Sequence, residues 1–215
     1  MSDIHGNFDY FLKMLKLIKF SNEDILYILG DFIDRGDNPI ELFEYIKNKK
    51  NIIVIKGNHE ELYEKGFEEG NYSLWRRFGG ETTYNQLLKK GYTSEYELYN
   101  YIRKLPNFLL VDNKFILVHA ALYYPYNYKN LSIKEILDRQ DSEVNLWEKR
   151  DYIYDIELNG FITITGHTPV QRIRESSSND IIIGKNNIFI DCGCETYGKI
   201  LGCLRLDDYK CFYIK

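Results

Sequence analysis

The stretch Ile25-Leu26-Tyr27-Ile28-Leu29-Gly30-Asp31-Phe32-Ile33-Asp34-Arg35-Gly36 reads as a short buried strand that stops on a glycine and hands charged side chains to the loop beyond it. Five apolar residues between turn-forming neighbours suit a strand better than a helix. The same pattern recurs downstream. Ile52 to Ile55 runs through Lys56 into Gly57-Asn58-His59-Glu60, Phe115 to Val118 ends in His119, and Phe161 to Thr165 ends in Gly166-His167-Thr168. Amphipathic segments lie between the early strands: Phe11, Leu15 and Ile18 with Lys13, Lys16 and Lys19 opposite, then Ile40 to Ile46. Strand alternating with helix predicts an α/β fold with a parallel sheet, because a parallel return needs a crossover of that length.

From about Glu60 to Leu105 the pattern is mostly helical, with Gly66, Gly70, Gly79-Gly80 and Gly91 as expected breaks. Further short strands are expected at Ile181 to Ile183, Ile188 to Ile190, Gly202 to Leu206 and Cys211 to Ile214, the final segment forming a second, more antiparallel sheet. No linker or repeat forces a cut. The expectation is one domain over residues 1–215 with a helical insertion at about 60–105.

The 28 Lys and Arg against 32 Asp and Glu leave a net charge of -4, which excludes a mechanism built on a strongly basic face, general nucleic-acid binding included. No run approaches the roughly 20 apolar residues of a bilayer span, and the opening Met1-Ser2-Asp3-Ile4-His5 has neither a basic nor an apolar leader segment. A cytoplasmic chain without a membrane partner is expected. Cys192, Cys194, Cys203 and Cys211 are expected to be reduced strand residues; a metal site at the Cys192, Cys194 pair is the weaker reading.

The chain has four histidines, and all of them, His5, His59, His119 and His167, fall in the strand-end segments or in Asp3-Ile4-His5. One histidine after a strand is ordinarily structural; four at one sheet edge, where α/β sheets form their sites, point to shared chemistry. Imidazole, carboxylate and amide oxygen together suit Mn, Fe or Zn. Asp3, His5, Asp31, Asn58, His119 and His167 exceed what one catalytic ion with an open position needs, and suffice for two ions sharing a carboxylate. Paired ions about 3.5–4 Å apart serve phosphoester hydrolysis. Arg35, four residues past Asp31, offers a fork for phosphate oxygens. His59 can donate a proton to the leaving oxygen, with Asp34 orienting it; alone, Asp34 and Arg35 would read as an ion pair in a turn.

Asp3-Ile4-His5-Gly6, Gly30-Asp31-Phe32-Ile33-Asp34-Arg35-Gly36, Gly57-Asn58-His59-Glu60, His119, Gly166-His167 and Ile190-Asp191-Cys192-Gly193 together resemble the calcineurin-like metallophosphoesterases, above all the bacterial and phage Ser/Thr protein phosphatases. The resemblance implies a four-layer αββα sandwich with two mixed sheets. It implies two divalent ions, Mn first with Fe or Zn as alternatives: one held by Asp3, His5 and Asp31, the other by Asp31, Asn58, His119 and His167. It further implies direct attack of metal-bound hydroxide on phosphorus, phosphate binding by Arg35 and Asn58, and His59 with Asp34 as the general acid. Trp147-Glu148-Lys149-Arg150 resembles the segment carrying a second phosphate-binding arginine, which makes Arg150 the candidate. Trp75-Arg76-Arg77-Phe78-Gly79-Gly80 resembles the tryptophan and double-glycine segment of relatives, which often carry Asn where Phe78 stands, at the substrate rim. The implied substrate is a phosphoprotein or small phosphate ester. The rivals are a symmetrical diadenosine tetraphosphatase, whose relatives tend to carry Ala where Asp34 stands, a nucleotide or RNA phosphodiesterase, and a non-catalytic metal-binding interaction module.

Overall fold

Side chains alternate across a strand, so each strand here divides its apolar residues between two faces. The computed structural model describes residues 1–149, 156–173 and 179–215. Helix α1 (Phe8–Leu17) leads into β1 (Leu26–Leu29), and α2 (Pro39–Ile46) crosses over to β2 (Ile52–Ile55), which pairs parallel to β1 with Leu26 opposite Ile52. Leu26, Ile28, Ile52 and Val54 pack with Phe11 and Met14 of α1 and with Ile40, Phe43 and Ile46 of α2. Leu29 and Ile55 turn to the opposite face and a separate cluster.

After β2 the chain is helical: α3 (Asn58–Glu69), α4 (Ser73–Trp75), a five-residue wide turn at Arg76–Gly80, α5 (Glu81–Lys90) and α6 (Tyr92–Ile102). Gly70 ends α3 in the left-handed conformation and Gly91 separates α5 from α6. Gly66, expected as a break, is instead buried inside α3, with the Tyr72 ring so close that a Cβ would lie 2.8 Å from it. Small size there serves packing and the helix continues.

β3 (Phe108–Val111) and β4 (Phe115–Val118) form an antiparallel hairpin, followed by α7 (Ile133–Leu137), α8 (Ser142–Trp147), β5 (Ile162–Thr165), β6 (Ile182–Ile183) and β7 (Asn187–Phe189). They make a mixed sheet in the order β3-β4-β5-β7-β6, parallel through β4, β5 and β7 and antiparallel at both edges. Phe115 and Leu117 face Leu29 and Ile55 in the inner cluster, whereas Ile116 and Val118 join Leu131 and Ile136 behind the sheet. β8 (Leu201–Leu204) and β9 (Cys211–Ile214) pair antiparallel and lie on the α1 side, with Leu201 and Cys203 in the cluster that contains Phe11. The succession is helices, sheet, sheet, helices. Each fully buried Leu, Ile or Phe in these clusters contributes about 1.5–3 kcal/mol.

In the final segment β6 pairs antiparallel with β7, and β8 with β9, as expected, but in two sheets rather than one: β7 also runs parallel to β5 inside the five-stranded sheet, and β8 with β9 stand apart. Cys203 and Cys211 are strand residues; Cys192 and Cys194 lie in the loop after β7, buried as free thiols, and join no metal-holding group among the described residues. Ahead of α1, Met1 runs beside β1 as a strand stub. Its ammonium donates to Tyr27 O at 3.0 Å, and it accepts the Leu29 N–H at 2.9 Å. That pairing delivers Asp3 and His5 to the carboxyl edge of β1. Among the described residues no helix is long and apolar enough to cross a membrane.

Candidate metal centre

The loops after β1 and β2 touch. A Cβ on Gly30 would come 2.6 Å from Gly57 Cα and 2.8 Å from His119 Nδ1, and one on Gly57 would come 2.3 Å from Asp31 Oδ1. Only glycine permits that approach, and Gly30 also takes φ +78. Glu60, fully buried at the third position of α3, ties the loops together. Its carboxylate accepts the backbone N–H groups of Asp31 at 2.7 Å, Gly57 at 2.9 Å, Phe32 at 3.0 Å and Ile33 at 3.3 Å. Sequence reasoning assigned Glu60 no role; its place three residues after Gly57 at a helix start was the available signal. The site backbone is also unusual: Asp3, His5, Asp31, Asp34, Arg35 and His167 all have positive φ.

The helices between β2 and β3 converge on Asp34. Its Oδ2 accepts Trp75 Nε1–H and His59 Nδ1–H, both at 2.7 Å, and its Oδ1 accepts the Thr83 hydroxyl at 2.7 Å. Burial favours a neutral His59, but the charges of Asp31 and Asp34 and the hydrogen bond to Asp34 raise its pKa above the ordinary 6.5. These contacts of Trp75 and Thr83 with Asp34 were not part of the sequence reading.

Two groups of potential ligand atoms, each within 4.8 Å, share Asp31: His5, Asp31 and His59, and Asp31, His119 and His167. Asp31 Oδ2 lies 3.6 Å from His5 Nε2 and 3.9 Å from His59 Nε2, and its Oδ1 lies 3.5 Å from His119 Nε2. Burial alone would push the Asp31 carboxyl up; His119, His59, His5 and His167 instead hold it well below the usual carboxylate range. His5 is pushed well down, first by burial and then by His59, and burial beside His119 takes His167 down to about 3. Both imidazoles are thus neutral and able to act as ligands.

The donor chemistry fits cations. His119 Nδ1–H donates to Leu29 O at 2.7 Å and its Nε2 lies 3.0 Å from Asn58 Oδ1; burial disfavours the charged ring, but the charges of Asp31 and Asp3 raise its pKa. Asn58 Oδ1 also faces His167 Nδ1 at 3.1 Å, and His167 Nε2 is buried without a hydrogen-bond partner. An amide oxygen flanked by two imidazoles, one with a buried nitrogen that has no partner, is a donor set suited to a divalent cation. Asp3 lies on the same cavity but outside both tight groups, its Oδ2 accepting the His167 N–H at 3.0 Å; His59 stands in the first group in its place.

Arg35 closes the first group, with NH1 2.9 Å from His5 Nε2 and NH2 2.8 Å from His59 Nε2. The cavity above has a volume of about 190 Å3, and Phe78, Trp147, Lys149 and Arg172 also line it. Arg150 lies outside the described residues. A second cavity of about 560 Å3, bordered by Met1, Tyr27, Phe115 and Leu204, contains none of the candidate ligands.

A family model described as calcineurin-like phosphoesterase matches residues 1–191. The chain is 27% identical over 204 residues to serine/threonine-protein phosphatase 2 of Escherichia coli strain K12, covering 93% of this chain and 88% of that protein. It is 47% identical over 62 residues to the symmetrical bis(5'-nucleosyl)-tetraphosphatase of Wigglesworthia glossinidia brevipalpis, a match to 28% of this chain that spans 23% of that relative's length. Among solved structures, a serine/threonine phosphatase from Saccharomyces cerevisiae superposes with a TM-score of 0.61 at 16% identity, over 99% of this chain and 77% of the other. A metallophosphoesterase from Sphaerobacter thermophilus gives 0.59 at 19% identity, over 99% and 85%. At those identities the two structures speak to the fold alone.

Proposed function

Because the chain belongs to the calcineurin-like phosphoesterase family, we propose that it is a dinuclear metal-dependent phosphomonoesterase acting on phosphoproteins, with phosphoserine and phosphothreonine as substrates. The observation that carries this reading is the sharing of Asp31 between two groups of ligand atoms, with an arginine fork and a carboxylate-bound histidine on the same cavity. His5, Asp31 and Asp3 would hold one ion, and Asp31, Asn58, His119 and His167 the other, with Mn the first choice and Fe or Zn next. When bound, such ions supply a nucleophile from water at neutral pH and neutralise charge on the phosphoryl oxygens.

The chain's own residues account for the rest. Arg35 draws in the phosphate and presents two N–H groups to its oxygens. In doing so it leaves His59 Nε2, which then takes a proton because Asp31 and Asp34 favour the charged imidazole. Protonated His59 donates to the oxygen of the departing group, and Asp34 keeps its ring oriented through Nδ1. Asn58 contributes an amide beside the phosphate. The second phosphate-binding arginine would be Arg150.

The short stretch of 47% identity favours one rival, a symmetrical diadenosine tetraphosphatase. Two features weigh toward the phosphatase: the bond of Asp34 to His59 and the long colinear match to a protein phosphatase. The deciding experiment gives Mn-loaded protein a phosphoserine peptide and diadenosine tetraphosphate in parallel. Turnover of the peptide is expected; cleavage of the nucleotide alone would reverse the assignment.

A further inference from the structure

The cavity of about 560 Å3 shares no lining residue with the metal cavity. Two strands border it: Leu26, Tyr27 and Leu29 of β1, and Cys203 and Leu204 of β8. β1 pairs with β2 and β8 with β9, as two separate two-stranded sheets. A sheet of two strands is marginal in water, and an uncovered strand edge is a template for another strand.

Hydrogen bonding alternates along each strand. The Leu26 N–H donates to Asn51 O at 2.9 Å, on the β2 side, so Tyr27 and Leu29 address the opposite edge. There Met1 lies parallel to β1, donating to Tyr27 O at 3.0 Å and accepting the Leu29 N–H at 2.9 Å. The Tyr27 N–H, one step further out, has no backbone partner among the described residues. Beyond β8 the Arg205 N–H donates to Lys210 O at 2.9 Å, which turns Arg205 and Cys203 to the β9 side. The amides of Gly202 and Leu204 are left on the free edge, again without a backbone partner among the described residues.

Both walls of this gap are apolar. Phe20 and Phe212 belong to the cluster that contains Phe11, and Phe115, Leu117 and Ile164 to the inner one. A strand between them has no polar face and reads as a continuous apolar run. The mouth differs: Glu23, Asp24, Asp112 and Asp207 stand exposed there against Lys114 and Arg205, and Arg205 is already paired with Asp208 at 2.7 Å. Glu23 and Asp24 precede β1. A strand parallel to β1 therefore has its own amino end among these carboxylates.

We infer that the gap between β1 and β8 is an acceptor site for a strand of a partner polypeptide. The occupant is an extended apolar segment, preceded by lysine or arginine, that lies parallel to β1 and joins the two small sheets into one. The Tyr27 N–H donates to its backbone on one edge, and the amides of Gly202 and Leu204 on the other. The carboxylates at the mouth hold its basic end. This site is independent of the metal cavity and of the reaction proposed for it.

The test titrates acetyl-KKIVVI-amide into the full chain. Saturable one-to-one binding with a raised melting temperature is expected, and amide hydrogen exchange at Tyr27 and Leu204 should slow. Methylating alternate backbone nitrogens of the peptide keeps every side chain and should weaken binding at least about tenfold, through lost hydrogen bonds. The acidic counterpart acetyl-EEIVVI-amide should bind about two- to tenfold more weakly than the basic peptide. Glu23→Lys combined with Asp207→Lys, both at exposed positions, should reverse that order, with thermal melting to check the fold of the variant. No binding of the basic peptide, equal binding of the methylated or the acidic one, unchanged exchange at Tyr27, or an order that survives the double substitution overturns the inference.

Discussion

Glu60 holds the backbone of Asp31 through a hydrogen bond of 2.7 Å to its amide, and the same carboxylate gathers the amides of Gly57, Phe32 and Ile33. The residue shared by both ligand groups is thus placed by a side chain that is itself no candidate ligand. Glu60→Ala would leave four buried N–H groups without an acceptor. Unfolding in urea should show a loss of at least about 3 kcal/mol, since each orphaned donor costs about 1–3 kcal/mol. Glu60→Gln, which keeps an oxygen, should lose less. Equal stability of Glu60→Ala and the parent would refute the anchoring role.

Asp34 acts on His59. The folded-state pKa of His59 is raised above 6.5 despite burial, so the stability it contributes is fully present below pH 6.5 and is lost as pH rises through the raised value. Asp34→Asn should bring the His59 imidazole resonance of ion-free protein to titrate at lower pH. It should also slow an alkyl phosphate far more than an activated aryl phosphate, whose leaving group needs no acid. An unmoved titration would remove Asp34 as its partner.

Asp31→Ala removes the oxygen donors common to both groups. Metal analysis after dialysis should fall from two Mn per chain to one or none, and hydrolysis should drop by at least about a hundredfold, as loss of a supporting metal interaction alone costs 10–100-fold. In the parent protein, chelation should lower the melting temperature, because an ion at a hundred times its Kd stabilises by about 2.7 kcal/mol.

Gly79→Ala would place a Cβ 2.9 Å from Arg35 Cγ at φ +114. The strain should cost about 1–3 kcal/mol of stability. It should also displace Arg35, so that KM for a phosphopeptide rises more than kcat falls. Unchanged inhibition by inorganic phosphate would show that Arg35 had not moved.

Asp31, Asn58, His119 and His167 were legible because each follows a short apolar strand, and His5, with Asp3 beside it, because every other histidine of the chain lies in those strand-end segments. What the helices between β2 and β3 do was not legible: Trp75 and Thr83 reach Asp34 across 41 and 49 residues, a tertiary contact with no local pattern. In the final segment the antiparallel pairing was legible and its division between two sheets was not. Strands buried on both faces are continuously apolar in either direction of pairing, so composition could not show that β7 also joins β5 in parallel. Gly66 misled because a glycine demanded by a neighbouring ring looks the same in sequence as one that ends a helix.

Six non-glycine residues of the site, Asp3, His5, Asp31, Asp34, Arg35 and His167, keep left-handed backbone angles, each disfavoured by roughly 1–2 kcal/mol for an ordinary L-residue. At Asp34 a glycine would release that strain but orphan the three buried donors of His59, Trp75 and Thr83, each worth about 1–3 kcal/mol. The hydrogen bonds that serve the chemistry are thus also what keeps this awkward corner from relaxing.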